Sequence, residues 1–183
     1  MISKVYPSLS FILNLKGAMT DDGPIEGERV PDFCLSEASE TKVCLYEELK
    51  KGPLVLAFYP TDFGITCTLE FKRLNEMSSD FAAEGVRIVG ISVNSTTSHR
   101  SWKERLGMNI PLLSDGDASV AKRYHVMSPE NSILKGYSTR AIFVVDHDGV
   151  VRYRWVASDS HQQPDYELIL DKVRALGSER SRS

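Results

Sequence analysis

The chain has 183 residues, of which 42% are hydrophobic and 26% are charged, and its formal net charge is −3. This length and balance are typical of a single soluble globular domain of generous size. The small net charge gives no reason to expect nucleic acid or an anionic membrane surface as a partner.

Residues 1–27 are predicted to form a poorly ordered extension, residues 28–176 the folded domain and residues 177–183 a flexible tail. An apolar stretch at 8–15 is interrupted by Asn14 and leads to no clear cleavage site, so a signal peptide is not expected. The same stretch is far too short to span a bilayer.

Strand and helix patterns alternate along the folded part of the chain. The predicted elements, in chain order, are a hairpin of 32–35 and 42–45, a strand at 54–59, a helix over 65–84, a strand at 86–93, helices over 98–106 and 118–124, strands at 141–145 and 150–156, and a helix over 165–176. Asp148-Gly149 between the last two strands is a strong hairpin signal. This order predicts an α/β protein with a thioredoxin-like fold, in which a central mixed sheet has helices on both faces and an N-terminal β-hairpin.

The chain contains three cysteines, Cys34, Cys44 and Cys67, with no C-x-x-C pair and no metal-ligand spacing. So low and odd a count does not fit a secreted disulfide scaffold, and we expect a cytoplasmic protein. The four histidines occur singly, which predicts surface or structural side chains rather than metal ligands. No metal or other cofactor is expected.

Cys67 is the residue most clearly placed for chemistry. The strand at 54–59 ends at Pro60, and a short connection leads into the next predicted helix, so Cys67 falls in or near the first turn. Unpaired N–H groups and the helix dipole favour negative charge there, which lowers the pKa of a thiol and favours the nucleophilic thiolate. The position also follows the carboxyl end of a parallel strand, where α/β sheets bind ligands. The alternative is a buried cysteine that acts as a small hydrophobe.

Phe58-Tyr59-Pro60, then Phe63, then Cys67-Thr68-Leu69-Glu70 resembles the active-site loop of peroxiredoxins of the AhpC/TSA family. Pro60 and Cys67 stand at the spacing of that family's proline and peroxidatic cysteine, and Glu70 also matches. Further along, the segment 138–146 resembles the one that carries the family's active-site arginine, which maps to Arg140. The resemblance covers about residues 27–176 and is closest to the single-cysteine AhpE-type members and their archaeal relatives.

The resemblance implies a thiol-dependent peroxidase that reduces hydrogen peroxide or organic hydroperoxides through a sulfenic acid at Cys67. It also implies that Arg140 lowers the pKa of Cys67 and contacts the peroxide, because a guanidinium can reach sulfur and oxygen together. Pro60 would shield the thiolate from water, and Glu70 would orient Arg140 through a bidentate pair. Backbone N–H groups of the first helical turn would bind the developing oxyanion. The alternative for Arg140 is a surface salt bridge.

Gly64 departs from the family pattern, which has threonine or serine at that position. Phe63, Gly64 and Thr66 are the substrate-binding positions that the resemblance assigns to the loop. Glycine has no hydroxyl to donate, and Thr66 should point about 100° away from Cys67 around the helix. Thr61 or a water molecule is left to supply that hydrogen bond, so we expect a slower rate for the same reaction.

A sulfenic acid must meet a second thiol before the enzyme can turn over again. No cysteine follows Cys67, and Lys72 occupies the helical position at which some relatives carry a second cysteine. Cys34 and Cys44 lie on the predicted hairpin, where structural burial is the favoured interpretation and a resolving role is the alternative. We therefore expect an external thiol reductant, either a thioredoxin-like protein or a small thiol.

Other functions and a partner surface follow from the same residues. A thiol–disulfide oxidoreductase would need a second cysteine beside Cys67, and the next three residues supply none. A redox sensor or holdase, in which oxidation of Cys67 changes assembly with little turnover, remains compatible with Gly64.

Apolar side chains at Phe63, Ile65 and Trp102 could form the face of a homodimer or higher homo-oligomer.

Overall fold

The computed structural model describes residues 23–180 of the chain, which alternate between strands and helices. The strands are β1 (Cys34–Glu37), β2 (Lys42–Cys44), β3 (Leu54–Phe58), β4 (Arg87–Ser92), β5 (Leu112–Ser114), β6 (Ala141–Val145) and β7 (Val151–Val156). The helices are α1 (Leu45–Leu49), α2 (Ile65–Glu76), α3 (Ser78–Ala83), α4 (Thr96–Leu106), α5 (Ser119–Arg123) and α6 (Tyr166–Arg180).

The strands form one mixed sheet in the order β2-β1-β5-β4-β3-β6-β7. Its centre is parallel, because β3 pairs with β4 and β4 with β5 through helical crossovers. The flanks are antiparallel: β6 and β7 lie on one side, and the β1–β2 hairpin lies on the other side. The carboxyl ends of the three parallel strands therefore share one rim of the sheet. The predicted fold class, with its mixed sheet and N-terminal hairpin, is confirmed.

The central strand β3 is buried on both faces, and this explains its continuous run of apolar residues. Val55 and Ala57 face a core formed with α2, α3, α4 and α6, whereas Leu54 and Leu56 face a second core formed with α1 and α5. Each fully buried aliphatic side chain of this kind contributes on the order of 1.5–3 kcal/mol relative to exposure. The two cores hold β3 firmly, and with it the loop that follows.

Several predicted boundaries differ from the structure. The helix predicted over 65–84 is two helices, because the backbone breaks at Met77 between α2 and α3. The strand β5 and the helix α1 had no predicted counterpart, since each is only three to five residues long. The helix α6 continues to Arg180, so the predicted tail from 177 is helical at its start. Gly27, assigned to the extension, donates a hydrogen bond to the Val151 carbonyl over 2.9 Å. The rest of the predicted extension and tail, residues 1–22 and 181–183, lies outside the described residues.

The prediction of structural burial for Cys34 and Cys44 is wrong. The hairpin register places the two residues directly opposite each other, and their sulfurs form a disulfide. Cys34 is exposed and Cys44 is half-buried, so neither lies in a core. Within residues 23–180, no helix has the length and apolarity needed to cross a bilayer.

Candidate active site

Cys67 lies where the buried strand β3 gives way to the helix α2. Tyr59 and Pro60 continue the buried chain past the end of β3, and α2 begins at Ile65 with Gly64 as its N-cap residue. The N–H of Thr68 donates the first helical hydrogen bond to the Gly64 carbonyl over 2.8 Å. Cys67 is the third residue of α2, is only 2% exposed and is a free thiol.

Arg140 reaches this thiol from the strand beside β3. The antiparallel register pairs Phe58 with Ala141, so the residue before β6 meets the loop that follows β3. Arg140 is 3% exposed, and its Nη2 donates to the Cys67 Sγ over 3.4 Å. Its Nη1 donates to the Ser160 carbonyl oxygen. The guanidinium is therefore buried and aimed at the sulfur, which is not the arrangement of a surface salt bridge.

Glu70 follows Cys67 by one helical turn and is fully buried. Its Oε2 lies 3.0 Å from the Arg140 Nε, but neither carboxylate oxygen accepts an aligned hydrogen bond. The predicted bidentate pair is therefore not formed, because the other two guanidinium nitrogens are directed at Cys67 and Ser160. Burial raises the pKa of Glu70 to about 8, and the Arg140 charge opposes this rise.

The pKa of Cys67 moves in the opposite direction from the one predicted. Burial raises it above the ordinary thiol value, because the thiolate would be desolvated. A hydrogen bond to the Thr61 backbone and the charge of Arg140 act to lower it, as expected, and the charge of Glu70 acts with burial. In this arrangement the Thr61 backbone and the arginine reduce the cost of the thiolate without outweighing desolvation.

The remaining predicted site residues surround the thiol on the loop side. A Cβ added to Gly64 would lie 3.4 Å from the Cys67 Sγ and 3.4 Å from Thr61 Cγ2, so this position faces the thiol. Phe63 has a left-handed backbone with φ of 61° and is 47% exposed. Thr66 is half-buried in the first turn of α2, and within residues 23–180 its side chain makes no hydrogen bond. The structure thus brings Gly64 to the sulfur and leaves Phe63 at the surface.

Four polar residues beside the loop were not identified from the sequence as parts of the site. The Asp62 carboxylate accepts hydrogen bonds from Tyr59, Ser98 and His99, all within 3.1 Å. We call these four residues the Asp62 cluster. The signal that could have found it is the adjacency of β3 and β4, since the segments that follow two neighbouring parallel strands must meet.

A further residue that the sequence did not identify, Ser138, connects the loop to Arg140. Ser138 lies two residues before the arginine, and its hydroxyl donates to the Tyr59 carbonyl oxygen over 2.8 Å. Among the residues that the structure describes, no group of three or more His, Cys, Asp or Glu side chains is arranged to hold a metal ion.

The sheet order and a cysteine at the start of a helix place the chain among thioredoxin-like α/β proteins. The model of the AhpC/TSA family matches residues 27–154, well over half of the chain. The chain therefore belongs to the AhpC/TSA family.

The chain is similar in sequence to several peroxiredoxins. The chain is 33% identical over 157 residues to a peroxiredoxin of Thermoplasma volcanium, which covers 82% of this chain and 73% of the relative. It is 31% identical over 146 residues to the chloroplastic 2-Cys peroxiredoxin BAS1 of Spinacia oleracea, which covers 74% of this chain and 54% of the relative. The chain thus spans about half the length of the chloroplastic relatives from Spinacia oleracea and Arabidopsis thaliana.

A solved structure shares most of this fold. The crystal structure of the peroxidoxin BcpB from Mycobacterium tuberculosis superposes with a TM-score of 0.73 at 28% identity. The superposition covers 84% of this chain and 98% of that chain, so the fold likeness extends well beyond the loop around Cys67.

Proposed function

We propose that the protein is a thiol-dependent peroxidase that reduces hydrogen peroxide or organic hydroperoxides at Cys67. The observation that carries this proposal is the buried thiol in the first turn of α2 with the Arg140 guanidinium 3.4 Å from its sulfur. A nucleophilic cysteine needs a cation and backbone donors beside it, and this position supplies both. Membership of the AhpC/TSA family supports the same reaction.

The reaction balances with the groups at the site and one peroxide. The thiol loses its proton, and the thiolate attacks one peroxide oxygen, so that an S–O bond forms while the O–O bond breaks. The leaving oxygen departs as alkoxide or hydroxide and takes up a proton to give an alcohol or water. Cys67 is left as a sulfenic acid.

Arg140 is proposed to stabilise charge on sulfur and on the leaving oxygen during this step, because its charge is permanent and lies in a desolvated site. Glu70 holds the Nε side of the guanidinium, so that Nη2 stays directed at the sulfur. Pro60 is buried beside the loop and is proposed to keep bulk water from the thiolate. The raised pKa of Cys67 makes ionisation of the thiol part of the barrier at neutral pH.

An external thiol is proposed to reduce the sulfenic acid. Cys34 and Cys44 are bonded to each other in the structure, so neither sulfur is free to attack Cys67. A thioredoxin-like protein or a small thiol would form a mixed disulfide with Cys67 and release water, and a second thiol would then free Cys67. If the hairpin were reduced first, Cys34 or Cys44 could take this role, so the redox state of the hairpin separates the two cycles.

The proposed assembly is a homodimer or higher homo-oligomer. Three apolar side chains lie exposed around the start of α2: Phe63 at 47%, Ile65 at 83% and Leu69 at 56%. Ile65 and Leu69 are four residues apart and share a face of the helix, so they form a continuous apolar surface beside the loop. Trp102, also predicted for this face, is buried in the core and cannot contribute.

We propose a cytoplasmic location, which the low cysteine count supports. Disulfides in reducing compartments are mostly transient, so Cys34 and Cys44 would then exchange between dithiol and disulfide. Rapid alkylation of thiols in intact cells, followed by mass spectrometry of the 34–44 peptide, measures which form is present.

Stopped-flow measurement of peroxide consumption tests the proposed reaction. The pre-reduced wild type should consume one equivalent of peroxide and yield a sulfenic acid at Cys67 that dimedone traps. Cys67→Ser should consume none, and Cys34→Ser/Cys44→Ser serves as the matched cysteine control that retains the reaction. A wild type as slow as Cys67→Ser would exclude the peroxidase. If oxidation then changed only the assembly state, the redox sensor or holdase would replace it.

A further inference from the structure

The Asp62 carboxylate, within the loop that faces Cys67, accepts hydrogen bonds from three side chains. Tyr59 Oη donates to Oδ1 over 2.8 Å, and Ser98 Oγ donates to Oδ2 over 2.6 Å. His99 Nδ1 lies 3.0 Å from Oδ2 and 3.1 Å from Oδ1. The Asp62 N–H donates in turn to Asn94 Oδ1 over 3.1 Å. Both the side chain and the backbone of Asp62 are therefore fixed to the segment that follows β4.

Burial makes this arrangement costly to disturb. Asp62 is 5% exposed and His99 is 0% exposed, so a carboxylate in this place depends on its donors. An acceptor-only carboxylate opposite Nδ1 requires a proton on that nitrogen. Among the described residues, His99 Nε2 has no hydrogen-bond partner, so the ring is anchored through Nδ1, which lies 3.0 Å from Asp62 Oδ2 and 3.3 Å from Tyr59 Oη. Removing the carboxylate would take the acceptor from two buried donors, Tyr59 Oη and His99 Nδ1, and from the half-buried Ser98 hydroxyl.

The residues on either side of Asp62 are the ones that touch the thiol or carry strain. Thr61 precedes it, and the Cβ position of Gly64 lies 3.4 Å both from Thr61 Cγ2 and from the Cys67 Sγ. Phe63 follows it with φ of 61°, a conformation that costs a bulky side chain about 1–2 kcal/mol. A strained residue persists only where its surroundings fix it. Asp62 supplies that fixation on one side of Phe63, and α2 supplies it on the other.

The cluster also reaches the arginine side of the site. Tyr59 donates its hydroxyl to Asp62, while its carbonyl oxygen accepts from Ser138, two residues before Arg140. The Tyr59 ring stacks on Trp102 with 5.4 Å between ring centroids, so the residue cannot shift independently of the core. Displacement of Asp62 would therefore disturb both flanks of Cys67.

We infer that Asp62 is a positioning residue, which together with Tyr59, Ser98 and His99 holds the loop closed against Cys67 and keeps Thr61 and Gly64 beside the sulfur. This inference rests on the proposed peroxidase function for its catalytic consequence. The closed loop excludes bulky reagents from the thiol and shapes the space that a peroxide must enter. Opening the loop should therefore slow the reaction of Cys67 with peroxide and speed its reaction with bulky alkylating reagents.

The test compares Asp62→Asn with Asp115→Asn. Asp115 is a matched control because its carboxylate is also buried on the same rim, but it accepts from the Val120 and Ala121 N–H groups of α5. For Asp62→Asn we expect a peroxide rate lower by about 10-fold or more, since small misplacements of reacting groups are that costly. We expect alkylation of Cys67 by a bulky maleimide to become faster. Asp115→Asn should lower the melting temperature and change neither rate.

A second pair of variants guards against simple misfolding. His99→Asn retains a donor near the position of Nδ1, whereas His99→Leu does not. Only the asparagine variant should therefore keep the slow alkylation and fast peroxide reduction of the wild type. The inference is overturned if Asp62→Asn changes both rates no more than Asp115→Asn does, or if His99→Leu behaves as His99→Asn. If the wild type reduces no peroxide, the proposed function fails, and the alkylation rates alone still decide whether the cluster holds the loop closed.

Discussion

Two cysteine environments lie on the same rim of the sheet and differ in almost every property that governs thiol chemistry. Cys67 is buried, free and faced by a guanidinium at the start of α2. Cys34 and Cys44 lie on the outer hairpin, where cross-strand pairing joins them in a disulfide and leaves Cys34 exposed. The neighbours of a cysteine, more than its place on the rim of the sheet, therefore decide whether its sulfur acts as a nucleophile or as a crosslink.

The positive charge of Arg140 should account for the largest part of what distinguishes Cys67 from the hairpin cysteines. Arg140→Met keeps the unbranched stem of the side chain but removes the guanidinium charge beside the sulfur, and we expect the second-order rate with peroxide to fall by about 10²-fold or more. Stopped-flow kinetics measures it. Arg152→Met is the control, because Arg152 pairs with Asp146 at the other end of β6 and is partly exposed. Equal rates in the two variants would show that Cys67 does not depend on its cation.

The pH dependence of the reaction should expose the effect of burial on Cys67. Because burial raises the pKa of this thiol, the thiolate forms late, and the peroxide rate should increase with pH through a midpoint above the ordinary thiol value. The negative charge of Glu70 contributes to that rise, so Glu70→Gln should move the midpoint to lower pH. Its plateau rate should still fall by about 10-fold, because Arg140 loses the group that holds its Nε side.

Rates from pH 5 to 10 for the wild type and Glu70→Gln, with iodoacetamide alkylation as an independent titration of the thiol, measure both effects. A midpoint that Glu70→Gln leaves in place, or moves to higher pH, would contradict the electrostatic role assigned to Glu70. An unchanged plateau would contradict its role in orienting Arg140.

A hydroxyl at position 64 should raise the rate of Cys67 with peroxide and so widen its difference from the hairpin cysteines. The backbone of Gly64 has φ of −63°, and an added Cβ would make ordinary contacts, so Gly64→Ser should fit without strain. The new hydroxyl would lie near the sulfur and could donate to the peroxide, which should raise the rate by several-fold up to about 10²-fold. Gly64→Ala is the matched control, since it adds the carbon without the donor. No gain of the serine variant over the alanine variant would indicate that another donor already serves the site.

The hairpin disulfide should affect stability and leave the reaction with peroxide unchanged. Cys34→Ser/Cys44→Ser removes a crosslink with a sequence separation of 10, which should cost about 2–3 kcal/mol of unfolding free energy. Urea denaturation of this variant and the wild type measures that loss, and a single-turnover assay measures the rate. If turnover with a thiol reductant stopped in the double variant, the hairpin cysteines would be the resolving thiols, and the comparison between the two environments would have to be redrawn.

The long elements of the fold could be predicted because their patterns are local. β3 and β6 are continuous apolar runs, and α4 ends at Gly107, which adopts the left-handed backbone of a helix C-terminus. The break at Met77 had no signal, because neither proline nor glycine marks it. The disulfide depends on the register of the hairpin. A turn centred on residues 37–40, as predicted, would pair Cys34 with Val43, which is one residue away from the observed partner Cys44.

The site residues that lie within the recognised motifs could be predicted from the sequence. Cys67, Glu70 and Arg140 do come together, with contacts of 3.0 and 3.4 Å. The direction of the Cys67 pKa was not predictable, since it depends on how completely the loop and α2 bury the sulfur, which is a tertiary property. The Asp62 cluster was missed for a similar reason, because His99 is 37 residues from Asp62 and reaches it only through the pairing of β3 with β4.

The register between β3 and β6 has a consequence for how the protein folds. Cys67 and Arg140 are 73 residues apart in the chain, and they meet only once Phe58 is paired with Ala141. Contacts of such long sequence separation form late, whereas the hairpin that joins Cys34 to Cys44 closes a short loop. A newly made chain should therefore complete its crosslinking hairpin while Cys67 still lacks its guanidinium. Recovery of peroxide reduction during refolding would then report the docking of β6, one of the last steps in building the sheet.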